Sequence, residues 1–557
     1  MNPIRKSICT VICTVICTTQ LTVSLLAGGC GTTALAPLTT TATTATTATT
    51  ATSTTSSTTT TTTTAAPAAH APFSLRVLLT SDEHGWLTPW KDKKASLLRG
   101  GIHAIAGALR AEGYSAEAAS WLLLSSGDMW TGPYETTVLE GAPMTAAMSH
   151  LGYNGAAVGN HEFDFGQRVL AERARAATFP FLAANLVDAA TGVQPAWAKP
   201  YVIIEQSVDD GSIARVAIVG LACVESPVTA DVRNMVGLTF QPYDEALNRW
   251  LPEIKAQHPD AIVVVAHDSI ASVQPVMPLL RRYGVGLVAA GHEHRSGIVV
   301  DDNGTDTHSD DIVICNPGPY LRSFCRVDLG YQNGGVVSHA EKILVVDNAI
   351  DTPAPPFDAP LATILEGAEA SATRIGGEVL IESKQRLSRG KEGSLGQLVV
   401  DAWLQALPYA QVAVTNAGGL RQDIDAGPLR IRDIVSALPF NNYLLVVDMT
   451  GKEFKEVLAN PESVVGGVRY HYSEEPSGTR VVSAVTLASG AVVADTDLLK
   501  VVINDFMFRG GDHYRFSDKE PEETAVDWRE PIFRVLRAEA AHGRVLDRAA
   551  VARAIRD

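Results

Sequence analysis

The sequence lacks an excess of positive charge. Across 557 residues, 45 Lys and Arg stand against 61 Asp and Glu, which gives a formal net charge of −16 at pH 7. Because nucleic-acid phosphates are bound by basic surfaces, this balance argues against a nucleic-acid polymer as partner. A small phosphate ester remains compatible with the composition, provided that bound metal ions supply the positive charge.

Cysteine is scarce in the body of the chain. Four of the seven cysteines lie within the first 30 residues, and the remainder of the chain contains only Cys223, Cys315 and Cys325. Three cysteines cannot build the disulfide framework that holds small secreted domains together. Cys315 and Cys325 are open to two interpretations, a disulfide across a hairpin or a pair of buried free thiols.

The N-terminus has the pattern of an export signal. Two basic residues precede an uncharged stretch over 7–29. The sequence LAGGC at 26–30 resembles a bacterial lipobox, which predicts a signal peptide over 1–29 and acylation of Cys30. Because Ala27 occupies a position where Leu is commoner, ordinary signal cleavage and a retained membrane anchor stay open as alternatives. Each alternative places the body of the protein outside the cytoplasm, in the periplasm or at the cell surface.

A low-complexity tract of Thr and Ala follows over 30–72. It contains almost no charge and no apolar periodicity. Such a stretch buries too little apolar surface to offset the entropy lost on ordering, so we expect a disordered tether between the anchor and the folded body.

From residue 73 onward, short apolar runs alternate with helical stretches. This alternation predicts an α/β domain with largely parallel central strands over 73–350. A Pro-rich segment then interrupts the pattern, so we expect a linker with a helix at 351–376 and a second, smaller α/β domain over 377–557. The apolar runs of the first domain are 75–79, 121–124, 155–158, 181–184, 214–221, 261–266, 286–290 and 312–315.

Polar side chains follow five of these runs. Because the carboxyl ends of parallel strands share one edge of a sheet, we expect them to lie together. Mixed carboxylate, amide and imidazole groups suit divalent ions such as Mn, Zn or Fe, and the absence of Cys argues against a structural zinc site. One His after a strand is ordinarily a structural residue, whereas five such strand ends favour a metal centre. The residues are Asp82, His84, Asp128, Asn160, His161, His267, His292 and His294.

The stretch VGNHEFDFG at 158–166 is the densest of these clusters. The imidazole of His161 can carry a proton, and Asp164 can orient that ring if a turn brings the two together. Taken alone, the stretch is also compatible with an Asn/Gly turn that carries charged surface residues.

The motifs occur in a specific order, which resembles the order of motifs in the calcineurin-like metallophosphoesterase superfamily. Within that superfamily, GNHEFD followed by FPFLAAN at 179–185 is similar to the 5′-nucleotidase family. The resemblance covers about 73–557 and implies a four-layer β-sandwich flanked by helices, followed by a smaller α/β substrate-binding domain. The motifs are DEH at 82–84, GD at 127–128, GNHE at 159–162, a single His at 267 and GHEH at 291–294.

The resemblance implies two divalent metal ions, with Mn, Zn, Fe, Co and Mg as candidates, bridged by Asp128. A metal-activated water would attack phosphorus, and His161, oriented by Asp164, would stabilise the developing charge or protonate the leaving oxygen. Some family members have Asn or Gln in place of His294, so this imidazole is expected to influence metal preference. The implied ligands are Asp82, His84, Asp128 and His294 for one ion, and Asp128, Asn160, His267 and His292 for the other.

The sequence of the second domain indicates a function only when it is compared with the 5′-nucleotidase family. Taken alone, its Gly-rich turn is typical of an ordinary loop and its lone aromatic residues are typical of core positions. The resemblance implies that Phe440 and Phe506 sandwich a nucleobase, that Asp512 binds the ribose hydroxyls and that Arg389 lies near ribose and phosphate. Stacking a base contributes about 1–3 kcal/mol. The implied substrate-binding residues are Arg389, Asn416, Gly418, Gly419, Arg421, Phe440, Phe506 and Asp512.

These inferences predict an exported enzyme that hydrolyses nucleoside 5′-monophosphates to nucleosides and phosphate. Alternatives on the same scaffold are a 2′,3′-cyclic nucleotide phosphodiesterase, a nucleotide-sugar or dinucleotide hydrolase and a thiosulfohydrolase. The two Phe rings favour a nucleobase over the last of these. A surface lipoprotein that has lost catalysis is the non-enzymatic alternative, and the intact ligand set argues against it.

The expected partners are a nucleotide and, through the lipid anchor only, a membrane; the oligomeric state is left open. Because the metal ligands and the base-binding residues lie on different domains, productive binding requires the domains to close. The family's known domain rotation implies a hinge near 351–376.

Overall fold

The structure, a computed structural model, describes residues 72–92, 96–116, 120–208, 211–305, 307–332, 334–349, 359–476 and 479–557. The expected signal peptide, the acylation site Cys30, the tether up to residue 71 and residues 351–358 of the linker lie outside these ranges. Within them, no helix combines the length and the apolar character needed to cross a membrane.

Two six-stranded sheets form the N-terminal domain. With the strands numbered in chain order, the two sheets have the orders β16-β15-β1-β4-β5-β6 and β13-β14-β12-β11-β9-β8. Neighbours among β1, β4, β5 and β6 run parallel, as do neighbours among β9, β11, β12 and β14, which matches the parallel central strands expected from the sequence. The strands are β1 (Phe73–Thr80), β2 (Trp90–Asp92), β3 (Leu97–Arg99), β4 (Leu122–Ser125), β5 (Gly155–Ala157), β6 (Phe181–Leu182), β7 (Leu186–Asp188), β8 (Tyr201–Ser207), β9 (Ile213–Leu221), β10 (Leu238–Phe240), β11 (Ala261–Ala266), β12 (Val285–Ala289), β13 (Gly297–Asp301), β14 (Ile312–Asn316), β15 (Ser323–Gln332), β16 (Gly335–Val345) and β17 (Asp347–Ala349).

Helices cover the outer faces of both sheets. In α6, for example, Leu247, Leu251 and Ile254 recur at helical spacing and are buried against the second sheet. The helices of this part of the chain are α1 (Ile102–Ala111), α2 (Tyr134–Thr137), α3 (Ala142–Leu151), α4 (Gly166–Ala176), α5 (Ser226–Thr229), α6 (Tyr243–Ala256), α7 (Ile270–Val273), α8 (Met277–Arg282) and α9 (Ala359–Gly376).

Successive side chains of a strand point to opposite faces of its sheet, so each sheet contributes to two separate hydrophobic cores. Leu75, Val77 and Leu79 of β1 face the second sheet, where they join Val263 and Val265 of β11 in one buried cluster. Leu78 of β1 points the other way, into a cluster formed with α1 and α3. Both faces of each sheet are therefore covered, which explains why the central strands are apolar at nearly every position. The four layers, helices, sheet, sheet and helices, confirm the predicted fold class.

A disulfide connects the two sheets. Cys315 of β14 and Cys325 of β15 are bonded, with their Cα atoms 6.7 Å apart, whereas Cys223 is a buried free thiol. Of the two interpretations that the sequence left open, the disulfide is present, but because β14 belongs to the second sheet and β15 to the first, it does not cross a hairpin. The two strands are close because their sheets are packed face to face.

Reduction of this disulfide is expected to lower the free energy of unfolding by about 3 kcal/mol, because the crosslink restricts the unfolded chain. Urea unfolding of the wild type with and without dithiothreitol isolates the crosslink, and the double variant Cys315→Ala/Cys325→Ala should unfold near the reduced wild type. Cys223→Ala serves as control for the loss of a buried sulfur and should respond to reductant as the wild type does. An unfolding midpoint that does not respond to reductant would contradict this prediction.

The linker helix belongs to the N-terminal body. Leu361 and Ala368 of α9 are buried in the same cluster as α1 and α3. At the end of the helix, Gly376 contacts the ring of Tyr134 so closely that a Cβ would lie 2.5 Å from it. The chain therefore leaves the N-terminal domain only after Gly376.

The C-terminal domain is built on a five-stranded mixed sheet of order β22-β19-β25-β21-β26, with a three-stranded sheet β24-β23-β27 and a pair β18-β20 beside it. One face packs on α10, α11 and α14, and the other on α12 and the three-stranded sheet. The strands are β18 (Val379–Ser383), β19 (Val412–Asn416), β20 (Gly427–Arg430), β21 (Tyr443–Thr450), β22 (Ser463–Gly466), β23 (Val468–Glu474), β24 (Arg480–Leu487), β25 (Leu498–Asn504), β26 (Glu522–Asp527) and β27 (Ala554–Arg556), and the helices are α10 (Ser394–Ala406), α11 (Ile431–Ala437), α12 (Gly451–Ala459), α13 (Asp505–Phe508) and α14 (Glu530–Ala541).

Candidate active site

The polar residues that follow β1, β4, β5, β11 and β12 converge at one edge of the sandwich. His84 Nε2 lies 2.9 Å from His294 Nε2, and His267 Nε2 lies 3.1 Å from Asp128 Oδ2 and 3.2 Å from Asn160 Oδ1. Three overlapping groups of donor atoms meet here, and within each group the atoms lie within 4.8 Å of one another: Asp82, His84 and His294; His84, Asp128 and His161; and Asp128, His267 and His292. The structure thus brings together all the predicted metal ligands: Asp82, His84, Asp128, Asn160, His267, His292 and His294.

Hydrogen bonds to backbone carbonyls set the tautomers of two of these histidines. His84 Nδ1 donates to the Thr131 carbonyl oxygen (3.0 Å), and His267 Nδ1 donates to the Ser126 carbonyl oxygen (2.8 Å). In the neutral ring the opposite nitrogen then carries a lone pair, and in both residues that nitrogen faces the other ligands. Metal-binding histidines show this arrangement, so the residues fit a divalent metal ion.

The backbone at the site is held in an uncommon conformation. Residues other than Gly rarely adopt positive φ, and such strain concentrates at functional sites where the surrounding structure maintains it. The ligands with φ between 43° and 69° are Asp82, His84, Asp128, His292 and His294.

Buried charges around Asp128 are strongly coupled. Burial raises its pKa, but the adjacent imidazoles, His267 foremost, hold the pKa of Asp128 well below its usual value. Burial lowers the pKa of His267, yet the charge and hydrogen bond of Asp128 raise it to about 10. Glu162 fixes the Asp128 backbone from behind, because its carboxylate accepts the N–H groups of Gly159, Asp128 and Met129 at 2.6, 2.9 and 2.8 Å.

The pair expected to handle protons is assembled locally. A 3₁₀ turn at His161–Phe163 brings His161 Nδ1 to 2.9 Å from Asp164 Oδ2, as the spacing of three residues predicted. The backbone N–H of His161 donates to Asp128 Oδ1 (2.8 Å), which ties the ring to the metal-binding group. Burial lowers the pKa of His161, but Asp164 and Asp128 outweigh it and the pKa is raised.

A cavity of about 460 Å³ lies between the two domains beside this pair. His161 and Asp164 line it from the N-terminal side together with Arg233. Its volume is in the range of small-molecule sites. All but one of the predicted substrate-binding residues line it from the C-terminal side: Asn416, Gly418, Gly419, Arg421, Phe440, Phe506 and Asp512.

Arg389 is the exception. Its Nη1 donates to the carbonyl oxygen of Arg421 (2.8 Å), and its backbone N–H donates to Asp423 Oδ1 (2.6 Å). In this arrangement Arg389 does not line the cavity as expected from the sequence, but supports the loop that carries Arg421.

Two C-terminal side chains contact the N-terminal part of the site directly, one at a metal ligand and one at His161. Arg421 Nη2 lies 3.3 Å from His84 Nε2, and its guanidinium lies 5.8 Å from the ring centroid of Phe440. The Phe440 ring stacks on His161, with centroids 5.3 Å apart and planes inclined by 16°. A cationic donor and an aromatic face are thus placed beside the predicted proton-transferring residue.

A chain of amides positions Asp512. Asn504 Nδ2 donates to Asn416 Oδ1 (3.0 Å), and Asn416 Nδ2 donates to Asp512 Oδ2 (2.7 Å). Asp512 itself has a positive φ of 50°. The Phe506 ring lies against Gly511, where a Cβ would clash with it. The segments Asn504–Phe506 and Gly510–Asp512 therefore lie together at one wall of the cavity.

Several site residues carry no sequence signal. The Tyr320 hydroxyl lies 3.3 Å from His294 Nδ1, and Tyr320 follows a Gly-Pro turn with a φ of 66°. Arg233 forms an ion pair of 2.7 Å with Asp505, which joins the two domains at the cavity. Neither an isolated Tyr in a loop nor an Arg in a polar turn can be distinguished from surface residues before the chain is folded.

Comparison with known proteins agrees with this geometry. Residues 75–296 match the calcineurin-like phosphoesterase family, and residues 370–518 match the 5′-nucleotidase C-terminal domain. The 5′-nucleotidase of Vibrio cholerae is 26% identical over 426 residues, which cover 69% of this chain and 75% of that protein.

Solved structures share the fold. A 5′-nucleotidase precursor from Thermus thermophilus superposes with a TM-score of 0.71 at 21% identity, covering 87% of this chain and 99% of that one. The sulfate thiohydrolase SoxB of Thermus thermophilus gives a TM-score of 0.67 at 19% identity, covering 86% and 96%. At these identities the structural likeness supports the fold alone.

The two matched domains follow one another in this chain. The first holds the converging metal ligands, and residues of the second line the cavity beside them. Relatives named 5′-nucleotidase align across both domains. The chain carries a calcineurin-like phosphoesterase domain followed by a 5′-nucleotidase C-terminal domain, and is a phosphate-ester hydrolase.

Proposed function

We propose that the protein hydrolyses nucleoside 5′-monophosphates to nucleosides and phosphate with two divalent metal ions. The observation that supports this most is the shared cavity, in which His161 lines the N-terminal side and Arg421, Phe440, Phe506 and Asp512 line the C-terminal side. One nucleotide would then place its phosphate group at the metal ligands and its nucleobase at the aromatic rings.

The ligands would divide between the two ions as the family resemblance implies. One ion would be held by Asp82, His84 and His294 and the other by Asn160, His267 and His292, with Asp128 contacting both groups. When bound, the ions would neutralise phosphate oxygens and lower the pKa of a coordinated water, with Mn, Zn, Fe, Co and Mg as candidates.

His161 would act on the leaving group. Asp164 accepts its Nδ1–H and leaves the other nitrogen available toward the cavity. The raised pKa keeps the ring protonated to higher pH, so that it can donate a proton to the departing oxygen or stabilise the charge developing there.

The C-terminal residues would select the substrate. Arg421 presents a planar cationic donor beside His84, which suits phosphate oxygens. Asp512, held by Asn416, would accept ribose hydroxyls, and the Phe rings would stack on the base. A ligand without a base, such as a sulfur oxyanion, would leave this wall of the cavity unused.

The test is phosphate release from AMP in the presence of Mn²⁺. Because Phe440 also touches His161, Phe506→Ala is the cleaner probe of base stacking. We expect it to raise KM for AMP about tenfold, in line with about 1–3 kcal/mol of stacking, with little change in kcat for p-nitrophenyl phosphate, which carries no base.

Phe508→Ala is the matched control, since Phe508 lies on the same short helix but packs on Phe516 rather than the cavity. It should leave KM for AMP within about twofold of wild type. If AMP is inert while bis(p-nitrophenyl) phosphate is cleaved, the 5′-monophosphate assignment is refuted in favour of a diesterase. If neither ester is cleaved and no metal is bound, the enzyme assignment itself fails.

Substrate entry would require domain opening. The domains contact through the hydrogen bond from Tyr134 N–H to Ser436 Oγ (2.7 Å) and, beside the cavity, through the ion pair of Arg233 with Asp505. Since α9 packs on the N-terminal domain, a hinge within the predicted 351–376 region would lie at the carboxyl end of that helix, near Gly376.

We also propose that the protein acts outside the cytoplasm, anchored through Cys30. The N-terminal pattern supports export, and the Cys315–Cys325 disulfide is typical of proteins that fold in oxidising compartments. Nucleotides outside the cell would then be the accessible substrates.

A further inference from the structure

A second cluster of histidine and carboxylate side chains lies at the opposite edge of the sandwich. His308 begins a 3₁₀ turn and Asp311 follows it directly before β14, whereas His339 and Glu341 lie on β16. The carboxyl end of β14 reaches the active site, where Asn316 Nδ2 donates to the Gly291 carbonyl oxygen (3.2 Å). Five residues of strand, at about 3.3 Å each, separate the cluster from that edge by roughly 17 Å.

The side chains of this cluster converge on one carboxylate oxygen. Asp311 Oδ2 lies 2.6 Å from His308 Nδ1 and 3.1 Å from His339 Nε2. The two imidazole planes are perpendicular, with centroids 5.2 Å apart. The three donor atoms lie within 4.8 Å of one another, as in the active-site groups.

Asp311 is buried without a permanent cation. Only 3% of the residue is exposed, its Oδ1 has no hydrogen-bond partner, and its ion pairs within the described residues are with histidines. A buried carboxylate is costly unless it is paired with positive charge. A proton on an imidazole or a bound metal ion can supply that charge, and the two compete for the same nitrogen.

His339 is already oriented as a metal ligand. Its Nδ1 lies 2.8 Å from Glu341 Oε2, so the N–H at this position is donated to a carboxylate. The neutral ring then presents the Nε2 lone pair to Asp311 Oδ2, which is unfavourable unless a cation lies between them. The carboxylate–histidine–metal arrangement of metalloproteins has this form.

We propose that His308, Asp311 and His339 bind one divalent transition-metal ion of the Zn²⁺ type, with Glu341 fixing the ring of His339. Two imidazoles and one carboxylate suit Zn²⁺ and its neighbours rather than Mg²⁺ or Ca²⁺, which prefer oxygen ligands. The His308 side chain is 58% exposed, so an ion can enter from solvent and this ligand can adjust to the bond length.

The ion would have a structural effect. Asp311 immediately precedes β14 of the second sheet and His339 lies in the first, so one ion would connect the sheets at this edge. The Cys315–Cys325 bond connects them near the other end of the same strand, β14. Zinc at this site should therefore stabilise the domain without changing turnover of the substrate.

The stoichiometry of zinc binding tests the proposal. Chelator-treated wild type, His308→Ala/His339→Ala and the control His542→Ala, which removes a surface His at the end of α14, are titrated with Zn²⁺ by calorimetry at mildly alkaline pH. We expect the double variant to bind one ion fewer per chain than the other two, and kcat for phosphate release to stay within about twofold. Equal stoichiometry in all three proteins would overturn the proposal.

Zinc anomalous scattering from crystals of the wild type gives an answer that does not depend on a folded variant. A peak bounded by His308, Asp311 and His339 supports the site, and a map with zinc only at the active-site edge refutes it. Both measurements are independent of the nature of the substrate, so failure of the proposed phosphoesterase reaction leaves them interpretable.

Discussion

Asp128→Asn is expected to reduce phosphate release by at least about 10³-fold, because Asp128 contacts both groups of metal ligands. Its Oδ2 lies 3.1 Å from His267 Nε2 and 3.6 Å from His84 Nε2, and its Oδ1 accepts the backbone N–H of His161. The substitution keeps the shape of the side chain but removes the charge. Steady-state kinetics in Mn²⁺, together with the metal content of the purified protein, measure the effect.

The neighbourhood of Asp128 makes this substitution informative. Gly159 passes so close that a Cβ there would clash with the carboxylate, and Glu162 holds the backbone of Asp128, so Asn should be kept in the same position. Asp188, whose side-chain Oδ1 accepts hydrogen bonds from its own turn far from the metal ligands, provides the matched control, and Asp188→Asn should keep full activity. Normal turnover with normal metal content in Asp128→Asn would exclude a bridging role.

His161→Ala is expected to reduce kcat by about 10²–10⁴-fold, the usual contribution of a positioned general acid or base. Asp164→Asn should have a smaller effect on kcat at acidic pH and a distinct effect on its pH dependence. Since the Asp164 carboxylate raises the pKa of His161, its removal lowers that pKa. The ring then loses its proton at lower pH, so the alkaline limb of the kcat–pH profile should move to lower pH.

The Asn variant separates charge from orientation, because its amide oxygen can still accept the Nδ1–H of His161. A pH profile that keeps its alkaline limb while kcat falls would mean that Asp164 only orients the ring. If His161→Ala loses the alkaline limb of the kcat–pH profile entirely while KM is unchanged, His161 is identified as the group whose titration produces that limb. Phe440→Ala should disturb the same limb, since its ring stacks on His161, whereas Phe506→Ala should not.

Features set by local sequence could be predicted. The runs that become β1, β4, β5, β11 and β12 are apolar because both faces of each sheet are covered, and the polar residues after them must share one edge. The turn at His161–Phe163 pairs His161 with Asp164 over three residues, which needs no distant contact. The order of motifs then identified the family and, through it, the candidate residues of the second domain.

Features that depend on packing between distant segments could not be predicted from the sequence. The Cys315–Cys325 bond connects two sheets that are stacked face to face. A separation of ten residues in the sequence does not indicate that the two cysteines lie in different sheets. The contact of Tyr320 with His294 has no counterpart in any local pattern. The place of Arg389 behind Arg421 likewise depends on how two loops pack.

The sequence by itself therefore determined the eight central parallel strands of the N-terminal domain, the candidate metal-ligand set and the candidate proton-handling pair, because strand periodicity and short-range spacing are local properties. Only the tertiary structure decided the cavity between the domains, the stacking of Phe440 on His161 and the burial of Asp311 between two histidines. These arise where residues hundreds or tens of positions apart are brought together by burial of apolar surface, and that juxtaposition is a property of the packed core rather than of any segment.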